Sequence, residues 1–162
     1  MTAPTPTRTR CEMTWIVMPG QANALGTVFG GQVAAWIDVC AAVSAQRFCR
    51  QQVVTAAMDS LIFRQPILQG QVVVLQAQVN WAGRTSIEVG VRVESEDPMT
   101  GVRLHTSTAY LTFVALDDQR NRIQVPTLEL ETDHDRRRWA DACARRDVRL
   151  AARKRDRERH AP

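Results

Sequence analysis

Hydrophobic and polar positions alternate along this chain in two different periods, and the periods mark out its elements. Residues 12–18 (Glu-Met-Thr-Trp-Ile-Val-Met) read as a strand that Pro19-Gly20 closes. Residues 20–31 hold Gly20, Gly26, Gly30 and Gly31, a composition of loops. From Gln32 the spacing becomes three and four: Val33, Trp36, Ile37, Cys40, Ala41, Ser44 and Phe48 share one helical face. Small residues (Ala34, Ala35, Ala41, Ala42 and Ala45) let a sheet approach that helix closely. Strand signals then follow over 52–63, 71–80, 85–95 and 102–116. In the third of these, Ile87, Val89, Val91 and Val93 alternate with Ser86, Glu88, Gly90 and Arg92. Gly83 and the Asp97-Pro98-Met99-Thr100-Gly101 run supply turns.

Long strands joined by short turns predict an antiparallel meander around one long helix, an α+β domain. The expected organisation is a disordered N-terminal arm over 1–11, a domain over 12–118, a linker over 119–132 and a basic helical tail over 133–162. One helix covers one face of a sheet, so the other face or an edge calls for oligomerisation.

Composition narrows the class. At 162 residues the chain holds one ordinary domain, and 44% apolar content is enough for a core. No apolar run reaches the length of a membrane span, and residues 1–10 lack the apolar centre of a secretory signal, so a cytoplasmic protein without membrane insertion is expected. Cys11, Cys40, Cys49 and Cys143 form no CxxC pair, and the three histidines are scattered. Neither a metal site nor a disulfide framework is expected; the cysteines read as reduced apolar fillers.

Charge is unevenly spread. Residues 133–162 carry eleven basic and six acidic side chains, whereas 1–132 carry ten and eleven. Such a tail invites a nucleic-acid reading. Asp133, Asp135, Asp141 and Asp147 among the arginines instead suggest a solvated helix face, or arginines that hold a phosphorylated small molecule. No nucleic-acid partner is expected.

The chain has no GxSxG elbow, no GxxxxGK[ST] loop and no GxGxxG turn opening a helix after a strand. One segment remains, Asn23 to Asp38. Gly30 and Gly31 precede the helix, where the first N–H groups lack intrahelical partners. Such a terminus can hold an oxyanion or a phosphate, or be an ordinary loop-to-helix joint. Asp38 sits between Ile37 and Val39 in an apolar stretch. It is either salt-bridged to an arginine or a carboxylate that activates water or attacks directly.

The pattern Asn-x-x-Gly-x-x-Phe-Gly-Gly followed by Trp36-Ile37-Asp38 resembles the hotdog-fold acyl-CoA thioesterases, in their cytosolic acyl-CoA hydrolase branch. Further agreement comes from Val54-Thr55-Ala56-Ala57-Met58-Asp59, Phe63-Arg64-Gln65-Pro66, Gly83-Arg84-Thr85-Ser86 and the run His105 to Ala115. The resemblance implies a long helix wrapped by a curved antiparallel sheet. It also implies hydrolysis of acyl-CoA to free fatty acid and CoA without cofactor. By position it makes Asp38 the catalytic carboxylate, Asn23 its partner from the opposite subunit, and Gly31, beside Gly30, the oxyanion amide. It implies at least a homodimer, commonly assembled further into a hexameric trimer of dimers.

Among basic residues, Arg84 is the leading partner for CoA phosphates, because it lies in a turn beside small Gly83, Thr85 and Ser86. A solvated turn is its plainer reading. Thr55 and Asp59 have weaker claims, Asp59 as a structural hydrogen-bond partner, and His105 reads as a packed histidine. The rival functions are a non-catalytic acyl-CoA binding or regulatory module on the same fold, and a nucleic-acid binder acting through the tail.

Overall fold

The alternating segments form a five-stranded antiparallel sheet that curls round one long helix, in a computed structural model that describes residues 3–159. The order is α1 (Pro6–Thr9), β1 (Cys11–Ile16), a 3-10 turn (Pro19–Gln21), α2 (Gly30–Cys49), β2 (Gln52–Met58), β3 (Val72–Ala82), β4 (Ser86–Glu96), β5 (Arg103–Leu116) and α3 (Asp133–Arg159). In space the strands run β1-β3-β4-β5-β2. The meander is therefore confined to β3–β5. β1 and β2 lie at opposite edges, since each is separated from its neighbour in sequence by the helix or by the loop 59–71.

Alternation decides which face is dry. Register sets Leu75 opposite Val93, Val79 opposite Val89 and Ile87 opposite Phe113. These side chains join Val33, Trp36, Ile37, Cys40, Ala41, Ala45 and Phe48 of α2 in one core. Fully burying a side chain such as Ile37 or Phe48 contributes roughly 1.5–3 kcal/mol. α2 ends at Arg50, whose φ of 55° turns the chain left-handed while its N–H donates to Gln46 O.

From Ile87 to Val93 the odd-numbered residues of β4 face α2, so the even-numbered ones face outward, and there α3 covers Glu88. Glu88, on that outer face, has no solvent exposure. It accepts from Arg145 (Nη2–Oε1 2.6 Å) and Arg149 (3.3 Å), and Arg149 also reaches Asp59 at 2.7 Å. The Arg145 guanidinium lies 3.6 Å from the Tyr110 ring centre. Asp135 caps the start of α3 by bonding Thr132 and reaches Gln78. The tail is thus docked along its first half, and only part of it is a solvated face as expected.

Two further expectations need correction. Residues 3–11, expected within a disordered arm, form the turn α1 and the first residue of β1. Thr9 is buried, and its Oγ1 accepts from Val79 N at 3.0 Å, satisfying a β3 amide that has no strand beside it there. The 119–132 linker is extended but packed, with Val125 and Leu128 in the core. Residues 1, 2 and 160–162 of the arm and tail lie outside the described residues.

Candidate active site

The loop between β1 and α2 is rigidly tied. Val28 N donates to Ile67 O, Gln69 N to Gly26 O and Phe29 N to Gln21 O. Asn23 knots its centre: its Oδ1 accepts from the amides of Leu25 (2.9 Å) and Thr27 (3.2 Å), and its Nδ2 donates to Thr27 Oγ1 at 2.8 Å. Gly26, with φ of +74°, makes the left-handed step that this turn requires.

α2 starts from Phe29, whose side chain offers no cap. Its carbonyl takes the N–H groups of Gln32 and Val33. The amides left without a helical acceptor are those of Gly30 and Gly31. A Cβ on Gly30 would stand 3.3 Å from the Phe63 ring, whereas one on Gly31 would meet nothing. Gly31 is accordingly the open end of the helix, where positive partial charge faces outward.

Asp38 lies seven residues further on, about two turns and so about 10 Å along nearly the same face of the helix. It is half-buried. Thr55 Oγ1, on edge strand β2, donates to Asp38 Oδ1 at 2.7 Å. The salt-bridged alternative for Asp38 does not occur: no arginine pairs with it among the described residues. A register shift between Thr55 and Ala57 bulges β2 at this point, the kind of irregularity that re-aims a side chain. Val39 and Val54 beside the pair are exposed, as are Leu25, Phe29, Ile62 and Phe63 around the loop. Within one chain no hydrogen bond joins Asn23 to Asp38: Asn23 bonds within its own loop and Asp38 with Thr55.

The other expected residues fall as follows. Gly83–Ser86 form the β3–β4 turn, closed by Gly83 N to Ser86 O at 2.8 Å. Thr85 and Ser86 line a cavity of about 410 Å³ together with Arg122, Arg146, Arg149 and Arg153. Arg84 is exposed and does not line it. Ile87, Phe113 and Thr55 stand in register across three strands, so this turn lies about 10 Å from Thr55. Asp59 is held by Arg149, and His105 Nε2 is engaged by Thr108 Oγ1 at 2.8 Å, both structural partners. The four cysteines are free thiols, and burial pushes Cys40 up to about 12, far from reactive. Thr55 is the residue whose weight sequence reasoning set too low. Its signal was a lone hydroxyl in an otherwise apolar strand.

A long helix wrapped by a curled antiparallel sheet is the hotdog architecture, here with an open helix N-terminus two turns from a carboxylate. A model of the thioesterase superfamily matches residues 25–102. YkhA of Bacillus subtilis, named as an uncharacterized acyl-CoA thioester hydrolase, is 44% identical over 119 residues, 74% of this chain and 69% of that protein. The chain belongs to the thioesterase superfamily. Among solved structures, an acyl-CoA hydrolase from Staphylococcus aureus in complex with butyryl-CoA and CoA is 34% identical, with a TM-score of 0.88 over 95% of this chain and 94% of that one. Variants of the same enzyme with an aspartate, a threonine or an asparagine changed to alanine have also been solved. A hexameric acyl-CoA thioesterase is 38% identical, with a TM-score of 0.89 over 94% of this chain and 97% of that one. No helix among the described residues is long and apolar enough to cross a membrane.

Proposed function

We propose that this protein hydrolyses acyl-CoA to a free fatty acid and CoA at a site shared between two copies of the chain. The observation that carries this reading is the Asp38–Thr55 pair, set two turns below the open amide of Gly31. The thioester carbonyl sits at the helix end, where the Gly31 N–H and the helix dipole stabilise the developing oxyanion, with Gly30 beside it. Thr55 occupies Asp38 Oδ1 and orients the carboxylate, leaving Oδ2 to act. Oδ2 takes a proton from the attacking water, the tetrahedral intermediate collapses, and the proton passes to the departing CoA sulfur. Alternatively Oδ2 attacks the carbonyl itself and water opens the anhydride. Neither route draws on a metal or prosthetic group.

Asn23 of the second copy orients the water or the carbonyl. The exposed edge of β2 and the apolar residues around the loop suit pairing with another chain. We take the assembly to be a hexamer, as the hexameric relative suggests, and its arrangement to be a trimer of dimers. The aspartate, threonine and asparagine varied in the S. aureus enzyme are spaced along its chain as Asp38, Thr55 and Asn23 are here. The CoA phosphates meet Arg84 and the arginines beside Thr85 and Ser86, with Gly83 leaving the turn open. Four free cysteines suit a cytoplasmic location.

The test is thiol release from acyl-CoA substrates of graded chain length. Asp38→Asn should lower kcat by about a hundredfold or more with circular dichroism unchanged. Activity within a few-fold of the parent would remove Asp38 from the mechanism. After a single turnover in 18O-water, label in the Asp38 carboxylate assigns the anhydride route, opened by water at the aspartyl carbonyl, because direct attack of water on the thioester leaves none there.

A further inference from the structure

The loop that follows β2 brings one aromatic ring onto the start of α2. A Cβ on Gly30 would stand 3.3 Å from Phe63 Cε2 and 3.5 Å from its Cζ, so the tip of the ring closes over the space a side chain would need. Glycine at 30 permits that approach. Phe63 is fixed from both sides. Ser107 Oγ, on a buried residue of β5, donates to Ile62 O at 3.0 Å, and Arg64 N donates to Thr106 O at 2.9 Å. Further back, Asp59 N donates to Tyr110 O at 2.9 Å. β5 therefore sets where the ring stands. Phe63 nevertheless remains 44% exposed, and Ile62 before it and Phe29 before Gly30 are exposed as well. Apolar surface thus collects at the open end of the helix, as it does where a ligand is met.

The register of the sheet orders the parts of the site. Thr55 and Ile87 both stand opposite Phe113, and Ser86 stands opposite Val114, so the Asp38–Thr55 pair and the arginine-lined β3–β4 turn share one end of β5. The anchor of Phe63 at Ser107 lies six residues back along that strand, about 20 Å away. Gly31 lies between, two turns of α2 from Asp38 and next to the residue that carries the ring. A thioester with its carbonyl at Gly31 and its CoA phosphates at the arginines has Phe63 on its remaining side, that of the acyl group.

We propose that Phe63 is a specificity-determining residue: its ring walls the acyl side of the site and excludes substrates branched at the carbon next to the carbonyl. This rests on the acyl-CoA reading of the Asp38 site. Gly31 N is two bonds from Gly30 Cα, and a carbonyl oxygen bonded to it stands about 2.9 Å out. The α-carbon, two bonds from that oxygen, then passes the edge of a ring whose backbone is pinned on both sides. A methylene passes; an added methyl meets the ring. One methyl misfitted in a close apolar site changes kcat/KM by roughly 10–200-fold.

Thiol release is measured for butyryl-, octanoyl- and palmitoyl-CoA, each against its 2-methyl counterpart, and the readout is the ratio of kcat/KM within a pair. The parent should favour the straight chain tenfold or more at the length it hydrolyses best. Phe63→Ala should bring that ratio to threefold or less, and Phe63→Leu should fall between. A ring that only steadied Gly30 would lower both members of a pair alike and leave the ratio where it was. A ratio unchanged within twofold in Phe63→Ala would overturn the proposal, as would a parent that does not discriminate. Where Phe63→Ala fails to fold, Phe63→Leu decides on the same ratio. Light scattering should find the parental assembly in both variants; a changed assembly with an unchanged ratio would give the ring to a subunit contact and overturn the proposal. Thiol release with an unmoved ratio overturns Phe63 alone, whereas no release by the parent from any of the six substrates removes the acyl-CoA reading and Phe63 with it.

Discussion

Glu88 offers the sharpest measurement of what holds α3 to the sheet. It is wholly buried and faces two guanidinium groups, Arg145 at 2.6 Å and Arg149 at 3.3 Å. Asp59 supplies the second negative charge, 2.7 Å from Arg149. The four groups balance, two against two. Glu88→Gln keeps the shape and removes one charge, leaving Arg145 without a carboxylate. Breaking a buried pair from one side costs about 3–5 kcal/mol. The Arg145 and Arg149 side chains are 24% and 17% exposed, so water relieves part of this and the low end applies, about 3 kcal/mol. For a chain of this size that is a fall in Tm of roughly 6–12 °C.

A second variant separates charge from packing. Glu88→Met with Arg145→Met removes both members of one pair and leaves Arg149 with Asp59; Met at 145 keeps contact with the Tyr110 ring. It should recover most of the loss. As a control, Asp133→Asn breaks the bridge from Arg136 to a carboxylate 98% exposed and should leave stability unchanged in the same assay. The assay is urea unfolding followed by circular dichroism at one fixed protomer concentration, because assembly contributes to apparent stability. The reasoning fails if Glu88→Gln lies within about 0.5 kcal/mol of the parent, or if the double variant is no better than the single one.

Gly31→Ala meets no atom and replaces a glycine in the first turn of α2, so stability should hold or rise by less than about 1 kcal/mol while kcat/KM falls as the methyl crowds the thioester; unchanged kcat/KM would take the Gly31 amide out of the site. Asn23→Ala and Asp38→Ala, co-expressed in equal amounts, should regain roughly a quarter of parental activity, because half the dimers are mixed and each of those has one whole site. A mixture shown by mass to contain mixed dimers, yet no more active than either variant, would place both residues in one chain. Arg84→Ala should raise KM more than it lowers kcat, with affinity weakening as salt rises; an unchanged KM would return Arg84 to solvent and leave the phosphates to Arg146 and Arg153.

The parts of the fold that were legible are those whose signal is local and apolar. The spacing from Val33 to Phe48 located α2 to within two residues at its start, and the Ile87–Val93 alternation located β4 and its inward face. The candidate site was legible differently. Periodicity singled out Asp38 as a misplaced charge, but only family resemblance gave it a role and joined it to Asn23. Thr55 stood out only as a hydroxyl among apolar residues, and its role stayed hidden because its partner is seventeen residues away across the helix-to-strand connection. α1 escaped notice because four residues make no period, and its anchor is one hydroxyl bonded 70 residues away.

The docking of α3 shows why the rest was hidden. A helix with so many arginines and aspartates and no regular apolar stripe looks solvated, because burial is ordinarily inferred from apolar spacing. Here most of the groups that face the sheet are charged, and their partners lie 57 to 90 residues away on β4 and at the end of β2. Glu88 itself looked like an ordinary outward position in an alternating strand. Its burial follows only once the tail is known to return over that face. The charge excess of the tail is therefore divided: Arg145 and Arg149 hold the helix down on Glu88 and Asp59, while Arg146 and Arg153 line the cavity beside the β3–β4 turn.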